Sequence, residues 1–263
     1  MSDTLTQPIV LRQDADGVAT LTLNRPEARN ALSMELMADL TAALAAAGED
    51  PSVKVVVIAA NGPAFCAGHD LKQMRSDPRR EAYQAVFDRC SVLMKTVVRL
   101  PKPVIAKVHA MATAAGCQLV ASCDLAIAAD SAKFATPGVN IGLFCSTPMV
   151  ALSRAVSRKT AMQMLLTGHP IDSAEAVRTG LINRAVPAAD LDGAVTELAQ
   201  TIASKSSYTL RVGKEAFYRQ MEMGLDEAYA YASEVMTINM LAGDAAEGID
   251  AFLGKRVPVW RGC

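Results

Sequence analysis

With 263 residues, 51% of them hydrophobic and 20% charged, the chain has apolar material for a large core and is not composed like a disordered segment. Its 26 basic and 27 acidic side chains leave a net charge of -1 and form no dense Lys/Arg run, which argues against nucleic-acid binding. Six cysteines without a CxxC pair argue against a disulfide framework and favour a reducing compartment.

The opening stretch, Met1-Ser2-Asp3-Thr4-Leu5-Thr6-Gln7-Pro8, has neither a basic region nor an apolar core, so a cytoplasmic location is expected. Asp16-Gly17 marks a tight turn, and the alternation of Val18-Ala19-Thr20-Leu21-Thr22-Leu23 predicts a half-buried strand. Leu36, Met37, Leu40 and Leu44 recur at helical spacing, predicting a helix capped by Ser33 and stopped by Gly48. Two runs of Val/Ile character, 53–60 and 103–108, read as strands covered on both faces, with a helix over 81–100 between them. A further round is predicted from a helix over 116–123 and strands over 124–129 and 133–136. Beyond Ser146 the pattern turns helical: 159–167 closed by Gly168, and 174–179 opened by Asp172 and closed by Gly180, then a short strand within 181–186. From Asp190 nearly to Val257 it stays helical, so the expected division is a core over 1–189 and a helical region over 190–263. The apolar runs 53–60 and 110–121 are too short or too interrupted to span a bilayer, and no membrane insertion is expected.

The chain contains no GxxxxGK[ST], GxGxxG after a strand, GxSxG or HExxH, and its three histidines have no metal-site spacing, so no metal is expected. Two glycine turns that follow strands remain. Asn61-Gly62-Pro63-Ala64-Phe65-Cys66-Ala67-Gly68-His69-Asp70-Leu71-Lys72 lies at the carboxyl end of the second strand, where an open sheet presents its ligands. Ala110-Met111-Ala112-Thr113-Ala114-Ala115-Gly116-Cys117-Gln118 follows the next strand and opens a helix, so its small residues admit a ligand against a helix N-terminus. Two outward N–H groups from such turns can hold one developing oxyanion.

Together with Asn24-Arg25-Pro26-Glu27-Ala28-Arg29-Asn30-Ala31-Leu32 upstream, and Leu166-Thr167-Gly168 and Glu247-Gly248-Ile249-Asp250-Ala251-Phe252 downstream, these turns resemble the enoyl-CoA hydratase/isomerase (crotonase) family. The resemblance implies an α/β fold, a spiral of repeated β-β-α units with a C-terminal helical trimerisation region, and a homotrimer or homohexamer. It implies an acyl-CoA thioester as substrate or ligand, with no separate cofactor. The oxyanion donors fall by motif position on the main-chain N–H groups of His69 and Ala115, the latter where the family usually has glycine. The added methyl of Ala115 is expected to narrow the acyl channel or to require a different turn. The CoA nucleotide is expected beside Arg29, Asn30, Ala31 and Leu32 and beside Ala67, Gly68, His69, Asp70, Leu71 and Lys72, with Phe252 and Lys255 reaching CoA across a subunit interface.

Hydratases of the family use two glutamates, which map here to Gln118 and Gly138. An amide cannot exchange protons near neutral pH as a carboxylate can, and glycine has no side chain. The pocket is therefore expected to stabilise a thioester enolate, with hydration in doubt. Alternatives are a malonyl-type CoA decarboxylase, which needs no base at C2, and a noncatalytic acyl-CoA-binding protein. Cys145 is expected to pack as a small apolar residue, the His69 imidazole to point to solvent, and Asp124 to be a structural turn carboxylate.

Overall fold

The structure is a computed structural model and describes residues 7–263. The segment Met1 to Thr6, part of the stretch read above for a targeting signal, lies outside the described residues.

The Asp16-Gly17 turn, with φ of 49° and 80°, joins β1 (Val10–Ala15) to β2 (Val18–Leu23) as a two-residue hairpin. After α1 (Met34–Glu49) come β3 (Val55–Ala60), α2 (Leu71–Ser76), α3 (Arg80–Arg99) and β4 (Val104–Val108). Next are β5 (Ala112–Thr113), α4 (Ala115–Ser122), β6 (Leu125–Ala129) and β7 (Lys133–Ala135). They are followed by α5 (Pro148–Ala155), α6 (Arg158–Thr167), β8 (Ile171–Asp172), α7 (Ser173–Thr179) and β9 (Arg184–Val186). The chain closes with α8 (Leu191–Ala203), α9 (Ser207–Gln220), α10 (Leu225–Met240) and α11 (Gly243–Leu253).

Six strands form one sheet in the order β1-β2-β3-β4-β6-β9, parallel except for the β1 hairpin. The Val/Ile character of these runs has the cause expected of it, because both faces of this sheet are covered. Val55, Val57, Ile105 and Ile127 face Leu191, Val195 and Ala199 of α8. The alternate residues Val56, Ile58, Ala106 and Val108 join the main core with Leu36 and Leu40 of α1 and Leu93 and Val97 of α3. Burying such aliphatic side chains contributes about 1.5–3 kcal/mol each.

A second, shorter sheet has the order β5-β7-β8. Isolated parallel bridges, Leu32 to His69 and Cys66 to Ala112, continue the same layering. Successive turns of the chain thus stack extended rungs at the ends of the main strands. This α/β architecture agrees with the expected spiral of β-β-α units.

Ser33 caps α1 by accepting from the Leu36 N–H at 3.2 Å, and Asp172 caps α7 by accepting from the Glu175 N–H at 2.8 Å. Gly48 does not stop α1, which runs to Glu49. A Cβ at Gly48 would lie 3.0 Å from Leu100 Cδ1, so this glycine serves close packing and not termination.

Within 190–263, α8 covers the sheet while α9, α10 and α11 pack on one another, and neither α9 nor α10 has a buried residue. A polar clamp ties α9 to the core. Lys214 Nζ donates to Asp124 Oδ2 at 2.6 Å and to the carbonyls of Val97 and Lys102, while Tyr218 donates to Asp124 Oδ1 at 2.9 Å. Asp124 also accepts from the Val104 N–H at 2.7 Å, so the turn carboxylate holds the start of a strand and a distant helix together.

Candidate functional site

The first rungs assemble from residues far apart in the chain. Arg29 and Asn30 both take left-handed backbone conformations, φ 51° and 53°, which turn the loop back against the strand ends. The fully buried Asn30 side chain holds it there: Nδ2 donates to the carbonyls of Asn61 and Ala64, and Oδ1 accepts from the Arg25 N–H. The Ala67 N–H donates to the Arg29 carbonyl, Leu32 N–H to Gly68, and Asp70 N–H to Leu32. Asp70 then caps α2 through the N–H groups of Lys72 and Gln73 and pairs with Arg25 at 3.3 Å. Residues 29–32 and 67–72 therefore lie side by side, with Arg29, Leu71 and Lys72 exposed along their edge.

The second turn meets the first at main-chain distance. A Cβ at Gly68 would lie 2.9 Å from Ala114 Cβ and 3.3 Å from the Ala115 nitrogen. One at Gly116 would lie 2.2 Å from the Cys66 carbonyl oxygen, so neither position accepts a side chain without moving backbone. Ala114 itself sits at φ 49° and ψ -117°, a strained conformation for a residue with a Cβ, just before α4 begins. The Ala115 methyl is fully buried in the main core.

Two donors are left over by this packing. The parallel bridge uses the N–H of Leu32 and of Asp70, so the His69 N–H faces the opposite side. The Ala115 N–H is in the first turn of α4, where no intrahelical acceptor exists. Neither N–H has a hydrogen-bond partner among the described residues.

The His69 imidazole does not point to solvent. It packs against Phe87 of α3 in a T-shaped pair, with ring centroids 5.5 Å apart, and its Nε2 is buried with no hydrogen-bond partner. Burial pushes the imidazole down to about 4, so the ring is neutral at pH 7. Gln118, 5% exposed, lies against the next turn of the same helix: Cys90 Sγ is 3.8 Å from Gln118 Oε1. Phe87 and Cys90 are three apart on α3, so the imidazole and the amide line one face of it.

Gly138 lies in the turn Pro137–Ile141, and its missing side chain leaves no space. A Cβ there would be 2.5 Å from the Leu143 carbonyl oxygen and 2.9 Å from Cys145 Sγ. Burial raises the Cys145 thiol and pushes Cys66, Cys90 and Cys117 up to about 12, so these remain protonated thiols. Beside Gly138 the loop exposes Ile141, Leu143 and Phe144.

Phe252 and Lys255 do not join this cluster within the chain. Phe252 is 81% exposed on α11, which packs against α9 and α10. A cleft of about 870 Å³ lies at the opposite end of α4, beside the Asp124–Lys214 clamp, with Gln118 on its wall. No group of three or more His, Cys, Asp or Glu that could hold a metal ion occurs among the described residues, and no described helix is long and apolar enough to cross a membrane. Sequence reasoning missed Phe87 and Cys90; their helical spacing was the available signal, but nothing local tied them to the turns.

The Enoyl-CoA hydratase/isomerase family model matches residues 13–263. Enoyl-CoA hydratase domain-containing protein 3, mitochondrial, of Rattus norvegicus is 47% identical, over 93% of this chain and 82% of its own. A probable enoyl-CoA hydratase of Mycobacterium bovis is 35% identical over 97% and 98% of the two chains. Among solved structures, an enoyl-CoA hydratase of Mycobacterium smegmatis superposes with TM-score 0.95 at 51% identity, covering 97% of this chain and 99% of that one. The mitochondrial name of the rat relative, shared by its vertebrate counterparts, overturns the expected cytoplasmic location. Unpaired thiols distinguish reducing from oxidising surroundings, not one reducing compartment from another.

Proposed function

The chain belongs to the enoyl-CoA hydratase/isomerase family, and on that premise we propose that it holds an acyl-CoA thioester with the carbonyl oxygen between the N–H groups of His69 and Ala115. The observation that carries this reading is the pair of unengaged main-chain donors on two turns packed together through Gly68 and Gly116. Preorganised donors of this kind stabilise an enolate oxyanion, and removing one typically costs about 10²–10³ in rate. The exposed cations Arg29 and Lys72 offer partners to the CoA phosphates along the edge of residues 29–32 and 67–72.

Hydration of an α,β-unsaturated thioester also needs a base for water and an acid for C2, each contributing about 10²–10⁴. Gln118 supplies neither, and the Gly138 position is closed by Leu143 and Cys145. The pocket therefore suits reactions that reach the enolate without a side-chain base. Decarboxylation of a malonyl-type thioester is one such reaction, because loss of CO2 leaves the electron pair on the enolate directly. In an oligomer, a homotrimer or homohexamer on this reading, the exposed Phe252 and Lys255 approach a neighbour's CoA, and the apolar residues of α10 and α11 are covered.

The test is a panel of crotonyl-CoA, malonyl-CoA and butyryl-CoA, each assayed for binding and for product mass. All three are expected to bind, crotonyl-CoA is expected to hydrate slowly or not at all, and malonyl-CoA is expected to lose CO2. Binding without any turnover would leave an acyl-CoA-binding protein, and failure of all three to bind would overturn the reading. Rapid hydration of crotonyl-CoA would overturn the argument from Gln118 and Gly138.

A further inference from the structure

A buried polar atom without a partner carries a desolvation penalty, and His69 Nε2 is such an atom. Its surroundings do not explain it. Phe87 packs against it with ring planes 79° apart and carries no lone-pair acceptor, and the neighbouring Asp70 carboxylate is already engaged with Arg25 and with the N–H groups that begin α2. No cation or carboxylate lies within hydrogen-bonding distance of Nε2 among the described residues. The histidine is also rooted in the site, because its own N–H is one of the two unengaged donors. Its ring and the Gln118 amide flank the same face of α3, one helical turn apart.

We propose that His69 is a specificity-determining residue whose Nε2 hydrogen-bonds an oxygen carried on C3 of the acyl group. Two acyl classes present that chemistry: a 3-hydroxyacyl thioester through its hydroxyl, and a malonyl-type thioester through its carboxylate. The inference rests on the acyl-CoA reading above and sharpens it, since an unsubstituted saturated chain would leave Nε2 without a partner. A neutral imidazole suits the task because either tautomer presents one donor and one acceptor, so a hydroxyl or a carboxylate oxygen can pair with it. The burial that keeps the ring neutral makes it a weak proton acceptor, consistent with recognition and not with activating water.

The experiment compares the affinities of butyryl-CoA, 3-hydroxybutyryl-CoA and malonyl-CoA for the wild-type protein and for His69→Phe, with product mass followed in parallel to separate turnover from binding. The variant keeps an aromatic ring against Phe87 and loses the nitrogen. The wild-type protein is expected to bind at least one C3-oxygenated thioester about 10- to 100-fold more tightly than butyryl-CoA. In His69→Phe that ratio is expected to fall to near one. A wild-type ratio near one, or a ratio that survives the substitution, overturns the inference. If no thioester binds the folded wild-type protein, the acyl-CoA reading itself falls.

The ¹⁵N resonance of His69 Nε2 in the wild-type protein gives a second readout that does not depend on the variant folding. It should move on adding the preferred oxygenated thioester and stay near its free position with butyryl-CoA. A carboxylate is expected to drive the ring toward imidazolium, whereas a hydroxyl leaves it neutral. An equal response to all three thioesters overturns the proposal.

Discussion

Acidification of the wild-type protein beside His69→Phe probes the burial of this imidazole directly. Burial lowers His69 from its ordinary 6.5 to about 4. Between those values the unfolded chain binds a proton that the folded chain refuses, so the histidine removes stability as pH falls through the window and has no effect above it. Below the folded value both states are protonated and the loss levels off. Weighing the two protonation equilibria at pH 5 against pH 8 gives a loss of about 2 kcal/mol from this one group. Phenylalanine does not titrate, and the other ionisable groups remain in both proteins. Urea unfolding followed by circular dichroism, at pH 8 and pH 5 and one fixed protein concentration, should show the wild-type protein losing about 2 kcal/mol more than the variant. Equal losses would refute the inward placement of the imidazole.

Installing both family glutamates, Gln118→Glu with Gly138→Glu, should not produce a crotonyl-CoA hydratase, because a Cβ at 138 would stand 2.5 Å from the Leu143 carbonyl oxygen. Steady-state hydration assays check this, and a gain approaching 10²-fold or more would refute it. Gly116→Ala should destabilise by about 3 kcal/mol or more and abolish acyl-CoA binding, since its Cβ would lie 2.2 Å from the Cys66 oxygen. Gly142→Ala, with a positive φ but open space, should cost only about 1 kcal/mol by denaturant unfolding. Lys214→Met should destabilise by roughly 3 kcal/mol and expose the connection between α8 and α9 to proteolysis, because a largely buried ammonium paired with Asp124 is lost. Unchanged stability and protease resistance would show that the clamp does not hold the helical region.

Elements with a strong local period were legible without the fold. The Val/Ile run at residues 53–60 announced a strand buried on both faces, and α8 and α1 do cover the two faces of its sheet. The cap at Ser33 and the stops at Gly168 and Gly180 were readable because each depends on backbone chemistry within a few residues. The first strand was not read, since its sequence VLRQDA occupies a sheet edge with four exposed residues and lacks the apolar alternation of β2. Gly48 misled for the opposite reason: its partner, Leu100, is remote in sequence and invisible to a local rule.

The sequence by itself determined which residues supply the two turns, which strands they follow, and that no carboxylate stands at positions 118 and 138. Those are properties of residue type and spacing along one chain. Only the tertiary structure decided that Gly68 and Gly116 bring the turns into contact, that Leu143 and Cys145 close the space at Gly138, and that Phe87 shelters the His69 imidazole. Each of these depends on atoms that meet only after the rungs stack and α3 covers them, and short-range pattern carries no record of such contacts.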